Sequence, residues 1–122
     1  MDQHGQFEKA RGMLPLSEAT YLILLALTEP KHGYGIMQTV AAEGDHLTKL
    51  GPGTLYGALN NLLKQKLIER AGDSDGEQDR RKLYALTALG RATAELECAR
   101  LETMARIGRR ILKPTGESNG KA

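Results

Sequence analysis

The chain has 122 residues, 17 Lys and Arg against 15 Asp and Glu, four Tyr, one Phe, no Trp and a single cysteine, Cys98. That length makes one domain with a small core, the net charge of +2 neither demands nor forbids nucleic acid, and the lone thiol excludes an intrachain disulfide and points to a reducing cytoplasm. The polar start MDQHGQFEKARG lacks an apolar signal core, and the longest apolar run, residues 21–27, is too short to span a bilayer, so no membrane partner is expected.

Residues 1–14 read as an N-terminal arm or short helix around Phe7, Ala10 and Met13. Pro15 stands just inside a helix start, and Leu16, Ala19, Leu22, Ile23, Ala26 and Leu27 then follow a helical spacing, with Tyr21, Leu24 and Leu25 widening the apolar face. This is a core helix, buried nearly all round and stopped by Pro30. Lys31, His32, Gly33, Tyr34 and Gly35 form a tight turn into a second helix over residues 33–43, with Ile36, Met37 and Val40 inward and Gly44 closing it. Residues 45–50 have the length of a minor strand.

The stretch LGPGTLYGALNNLLKQKLI, residues 50–68, is the centre of the reading. Gly51, Pro52 and Gly53 break the chain, and proline is tolerated at a helix start because the first backbone amides lack partners anyway. Leu55, Leu59, Leu62 and Leu63 fall on one face and predict burial. The opposite side carries Thr54, Gly57, Asn61 and Lys64, with Tyr56 and Asn60 on the flank and no carboxylate before Glu69. Asn can pair with adenine, Thr serves base or phosphate, and Lys meets phosphate. A merely solvated helix face has the same composition, and Tyr56 also fits a ring packed on the second helix with only its hydroxyl outward.

Two short helices joined by a brief turn, the second with a polar outer face, make a helix-turn-helix. After it come an apolar strand start, a polar tip over residues 72–79, and the alternating Lys82, Leu83, Tyr84, Ala85 and Leu86, which predict a hairpin wing. Asp73, Asp75, Glu77 and Asp79 surround the tip and would be repelled by phosphates, so the wing base at Arg80, Arg81 and Lys82 is the better candidate for a DNA contact. Neutralising those four acids is the competing role for Arg80 and Arg81.

From Thr87, a plausible N-cap, the pattern is helical for about 26 residues, or roughly 39 Å. Ala94, Cys98, Leu101, Ala105, Gly108 and Leu112 form one stripe, with Met104 and Ile111 beside it, while Leu89, Ala92, Leu96 and Ala99 form a second on the earlier half. A helix this long cannot bury both against its own small domain, so one stripe is expected to pack on a second copy, a homodimer seam; folding back over the first helix is the intrachain alternative. Residues 103–122 hold Arg106, Arg109, Arg110, Lys113 and Lys121 against one acid, Glu117, a basic end that serves phosphate contact or the helix dipole equally well. Pro114 ends the helix, and residues 114–122 read as a disordered tail.

In this order the pieces resemble the PadR family of winged helix-turn-helix transcriptional regulators, over about residues 16–112. The carriers are YLILLAL at 21–27, the turn His32, Gly33, Tyr34, Gly35 and Ile36, the run Gly53, Thr54, Leu55 and Tyr56 with Ala58 and Leu59, and Asp79, Arg80, Arg81 and Lys82 leading to Tyr84, Leu86, Thr87 and Gly90. The single C-terminal helix is similar to that of the family's smaller subfamily. The resemblance implies a mainly α fold with a small β-hairpin wing: a winged helix-turn-helix domain over 15–87 followed by a dimerisation helix over 88–113. It implies a homodimeric repressor that binds an inverted-repeat operator in double-stranded DNA and releases it when a small-molecule effector binds. Carried over by position, Thr54, Tyr56, Gly57, Asn60, Asn61 and Lys64, in a recognition helix over 53–66, would face the major groove. Lys31 and Tyr34 would contact phosphate, and Arg80, Arg81 and Lys82 would grip the backbone or the minor groove. Some relatives sense flat hydrophobic drugs with a tryptophan in the dimer pore, and this chain has none.

Enzymatic function fails on inventory: no framed pair of carboxylates, no histidine near Cys98 in sequence, and neither a phosphate loop nor a dinucleotide fingerprint. His4, His32 and His46 lack ligand spacing, so neither metal nor cofactor is expected, and Met37, Met104 and Cys98 read as core fillers. The rival to a DNA-binding regulator is a winged helix used only for protein assembly, because the fold alone does not fix function.

Overall fold

The structure, a computed structural model, describes residues 3–44, 49–72 and 82–113. Five helices, α1 (Gln3–Gly12), α2 (Glu18–Ala26), α3 (Gly33–Gly44), α4 (Pro52–Lys64) and α5 (Ala88–Ile111), surround a sheet of three short strands, β1 (Lys31–His32), β2 (Ile68–Arg70) and β3 (Leu83–Leu86). The mainly helical fold with a small wing expected from the sequence is the one observed. The acidic wing tip, and with it Arg80 and Arg81, lies outside the described residues, as do most of the minor strand expected at 45–50 and the tail from 114 on.

The core forms where the helical periods converge. Ile23, Leu24 and Leu27 from α2 and its end meet Ile36 and Val40 of α3, Leu55, Leu59 and Leu62 of α4, and Leu67, Ile68 and Tyr84 from the sheet side. Each full burial of a Leu or Ile is worth about 1.5–3 kcal/mol, which in so small a domain makes the α4 leucines decisive for its orientation. The expected α2 is shorter than its pattern: Pro15 does not open it, because Ser17 does. Its Oγ accepts the Thr20 amide at 3.1 Å, giving an orphan N–H a partner that proline cannot offer. Leu25 is left exposed, so the burial of α2 is one-sided.

The segment expected as a tight turn at residues 31–32 is instead an edge strand. β1 pairs antiparallel with β3, Lys31 opposite Tyr84 and His32 opposite Leu83, while β2 pairs on the other edge of β3 from Ile68–Leu86 to Arg70–Tyr84. The order β1-β3-β2 ties the start of α3 to the base of the wing.

The end of α4 is set by backbone geometry. Lys66 has φ +64°, its amide bonds to the Leu63 carbonyl at 3.1 Å, and the Leu67 amide reaches back to the Leu62 carbonyl at 3.0 Å. This is a Schellman termination with lysine where glycine would be unstrained. It ends the helix at Lys64, two residues before the sequence reading did. At the next junction Thr87 caps α5, accepting the Gly90 amide at 2.9 Å. A Cβ at Gly90 would run into the Leu67 carbonyl, so only glycine lets α5 come this close to the strand.

α1 packs along the first half of α5 and serves as a strut. At the join the Leu16 amide donates to Glu97 Oε2 at 2.9 Å, and Arg100 grips the same carboxylate through Nε at 2.6 Å and Nη2 at 3.0 Å. Glu97 is 1 % exposed, a carboxylate with its partners built in. The second half of α5 behaves differently: Leu101, Met104, Ala105, Ile111 and Leu112 are exposed and Gly108 is half-buried. Ala94 departs from the expected seam, because at 6 % exposure it belongs to the chain's own core; a stripe at helical spacing does not reveal whether its cover comes from the same chain.

Candidate nucleic-acid interface

α4 presents the polar arc that its sequence spelled out. With Leu55, Leu59 and Leu62 buried, Thr54, Tyr56, Gly57, Asn60, Asn61 and Lys64 are all exposed and span about 160° of the helix at 100° per residue. Pro52 begins the helix and Gly51 precedes it without a side-chain cap, so the first turn offers free backbone amides beside Thr54. The described cations on this helix and the wing base, Lys64 and Lys82, are exposed as well.

A cleft of about 550 Å³ gathers residues from three elements: His32, Gly33 and Tyr34 at the start of α3, Tyr56 and Asn60 on α4, and Lys82 and Tyr84 at the wing base. Four residues singled out by the sequence, Tyr34, Tyr56, Asn60 and Lys82, are thus brought to one place although 48 positions separate the first from the last. Tyr34 is 67 % exposed and Tyr56 46 %. The Tyr56 ring nevertheless lies against Gly33, where a Cβ would meet its hydroxyl. The ring is thus packed on the start of α3, as one reading of Tyr56 had it, but with its hydroxyl end at Gly33, while about half of the residue stays exposed.

His32 and Tyr84 were not singled out for this site. His32 Nδ1 lies 3.3 Å from the Lys82 carbonyl oxygen, a link between the entrance to α3 and the wing base. Tyr84 is buried beneath the cleft, and burial pushes its hydroxyl pKa up, with Arg70 pulling it down and Tyr56 adding to the rise. Strand pairing brings these residues in, and two residues of strand carry no periodicity from which to read it. Lys31, by contrast, is not in the cleft: it lines a separate notch of about 280 Å³ between α2 and α3 with Leu22, Thr39 and Glu43. Alternation along β1 sends Lys31 and His32 to opposite faces.

Among the described residues no group of three or more His, Cys, Asp or Glu is arranged to hold a metal ion, and no helix is long and apolar enough to cross a membrane. Cys98 is exposed on α5, beside Tyr21. Burial first, then the neighbouring Cys98 thiol and the nearby Glu97 and Glu102, push Tyr21 up to about 12.

Residues 22–96 match the family described as the transcriptional regulator PadR-like family. The chain belongs to that family. A PadR family transcriptional regulator from Eggerthella lenta is 27 % identical with a TM-score of 0.65, the alignment covering 88 % of each chain. Bordetella bronchiseptica BpsR, a protein whose DNA binding is regulated by 6-hydroxynicotinic acid, shares the fold at 21 % identity and a TM-score of 0.62, over 91 % of this chain and 80 % of that one. An uncharacterized 37.1 kDa protein in transposon TN4556 of Streptomyces fradiae is 35 % identical over 98 residues, 80 % of this chain, and this PadR-like chain spans only 26 % of that protein's length.

Proposed function

We propose that the chain is a sequence-specific DNA-binding regulator that acts as a homodimeric repressor on an inverted-repeat operator. The observation that carries the reading is the coincidence of the exposed polar arc of α4 with the cleft uniting Tyr34, Tyr56, Asn60 and Lys82. In this reading Thr54, Gly57, Asn60 and Asn61 meet base edges, and Asn60 and Asn61 have the amide geometry to pair with adenine. Tyr34, Tyr56, Lys64 and Lys82 hold phosphates, with Arg80 and Arg81 extending the same grip along the wing. His32 fixes the wing base to α3 through the Lys82 carbonyl.

The dimer follows from the uncovered half of α5. Leu101, Met104, Ile111 and Leu112 are large apolar side chains left at the surface along the end of α5. Pairing them with a second copy covers them and sets two recognition helices about one duplex turn apart, the spacing a two-fold operator requires. Membership of a family of transcriptional regulators supports this, and the regulation of BpsR by a small molecule supports an effector here too. The test is fluorescence anisotropy of a labelled duplex from the protein's own upstream region against a shuffled duplex of equal length. Preference for the native sequence of tenfold or more, about 1.4 kcal/mol, supports the proposal; equal affinity rejects sequence-specific regulation.

A further inference from the structure

We propose that His32 donates its Nε2–H to a phosphate of bound DNA, so that binding takes up a proton from solvent at this ring and strengthens as the pH falls. The contact rests on the DNA-binding reading and adds a condition to it. The ring is half-buried and lines the cleft of about 550 Å³ with Tyr34, Tyr56, Asn60 and Lys82. Its Nδ1 lies 3.3 Å from the Lys82 carbonyl oxygen, and because a carbonyl only accepts, the hydrogen of that bond sits on Nδ1. In the neutral ring Nε2 is then a bare acceptor, of no use to a phosphate; in the imidazolium it is a charged donor. The tether to the wing base thus makes any contact between this ring and an anion conditional on a proton.

The surroundings say where the anion comes from. The charged and titratable groups that line the cleft with the ring are Lys82 at the wing base, Tyr34 from α3, Tyr56 from α4 and Tyr84 from β3, and Arg70 on β2 is the strand partner of Tyr84. Lys31, the other residue of β1, lines the notch between α2 and α3, and Glu69 of β2 lines a separate groove with α1 and α5. No carboxylate lines the cleft among the described residues, so the negative charge that favours a charged ring arrives with the ligand. The first turn of α3 begins beside the ring without an acidic residue, and the positive end of that helix favours the same anion.

The test is anisotropy of the labelled upstream duplex titrated with the full-length chain at about pH 6 and about pH 8, each at two salt concentrations. Wild-type affinity should be at least about fivefold higher per chain at the lower pH, and the log–log salt slope steeper there by up to about 0.9. His32→Asn puts a side-chain amide where Nδ1–H stood, keeping the tether and removing the titration. Its affinity should change less than about twofold between the two pH values, with one salt slope at both. If asparagine disturbs the sheet, His32→Gln, with its amide at the Nε2 end, is read in the same way. Equal wild-type affinity at both pH values, a pH response without a change of slope, or a variant that keeps the wild-type response overturns the proton-linked contact. An operator bound equally well at both pH values leaves the DNA-binding reading standing, whereas no binding at either pH overturns both.

Discussion

The Thr87 hydroxyl lies 2.7 Å from the Lys66 carbonyl oxygen and 2.9 Å from that of Leu67, so the residue that caps α5 also holds the end of α4. One side chain joins the helix with the polar arc to the helix with the apolar stripe. Thr87→Val keeps the shape and removes the hydroxyl, leaving the Gly90 amide and the Lys66 carbonyl short of a partner, while the Leu67 carbonyl keeps the residue-87 backbone amide. We expect a loss of about 1–2 kcal/mol by urea denaturation, with Thr87→Ser close to wild type. If valine is tolerated as well as serine, the joint is held by packing alone.

Lys66 occupies a left-handed position that costs a non-glycine residue about 1 kcal/mol. Lys66→Gly should therefore stabilise the chain by roughly 0.5–1 kcal/mol, a rise of a few degrees in melting temperature, even though glycine usually weakens structure. A fall in melting temperature would show that the lysine side chain contributes more than its backbone costs.

The Glu97 carboxylate is held below its ordinary acidity range, first by the Arg100 hydrogen bonds against the opposing effect of burial, then by the Leu16 amide and the Arg100 charge. A depressed folded pKa contributes stability that is complete above the unfolded value and lost as pH falls through the folded one. Stability should thus decline on acidification from about pH 4.3 downward. Glu97→Gln should cost about 1–3 kcal/mol at neutral pH and flatten that acid limb, as read by urea midpoints across pH. An equally steep limb in the variant would assign acid sensitivity to other carboxylates.

How much of this was legible beforehand follows the range of each signal. The α4 arc was readable because Pro52 marks the start and Leu55, Leu59 and Leu62 supply the period, and the wing strands because apolar residues at Leu67 and Ile68 and again at Leu83 to Leu86 stand on either side of a polar, Gly-containing run. Features made by tertiary contact were not. β1 is two residues long, the cap at Ser17 competes with a nearby proline, and the turn at Lys66 lacks the glycine that would advertise it. Glu97 looks like any solvated helix charge until the segment between α1 and α2 brings the Leu16 amide to it. Ala94 shares the spacing of Leu101, yet one is covered by its own chain and the other is not.

Leu101→Asp tests the uncovered half of α5. The residue is 40 % exposed in the isolated chain, so a carboxylate there costs the monomer little, while in an apolar seam between copies it must be desolvated. We expect the wild-type chain to sediment as a dimer and the variant as a folded monomer with weakened operator binding. Dimers that persist in the variant would move the seam elsewhere.

The most direct measurement is the salt dependence of operator affinity for the wild type, Asn60→Ala and Lys64→Ala. Phosphate contacts release counterions, so the wild-type log–log slope should be steep, and Lys64→Ala should reduce its magnitude by about 0.9 while weakening all sequences alike. Asn60→Ala should leave the slope unchanged and erode the preference for the operator by about 1–3 kcal/mol. A slope near zero, or two variants that bind and discriminate as the wild type does, would contradict the claim that α4 reads DNA.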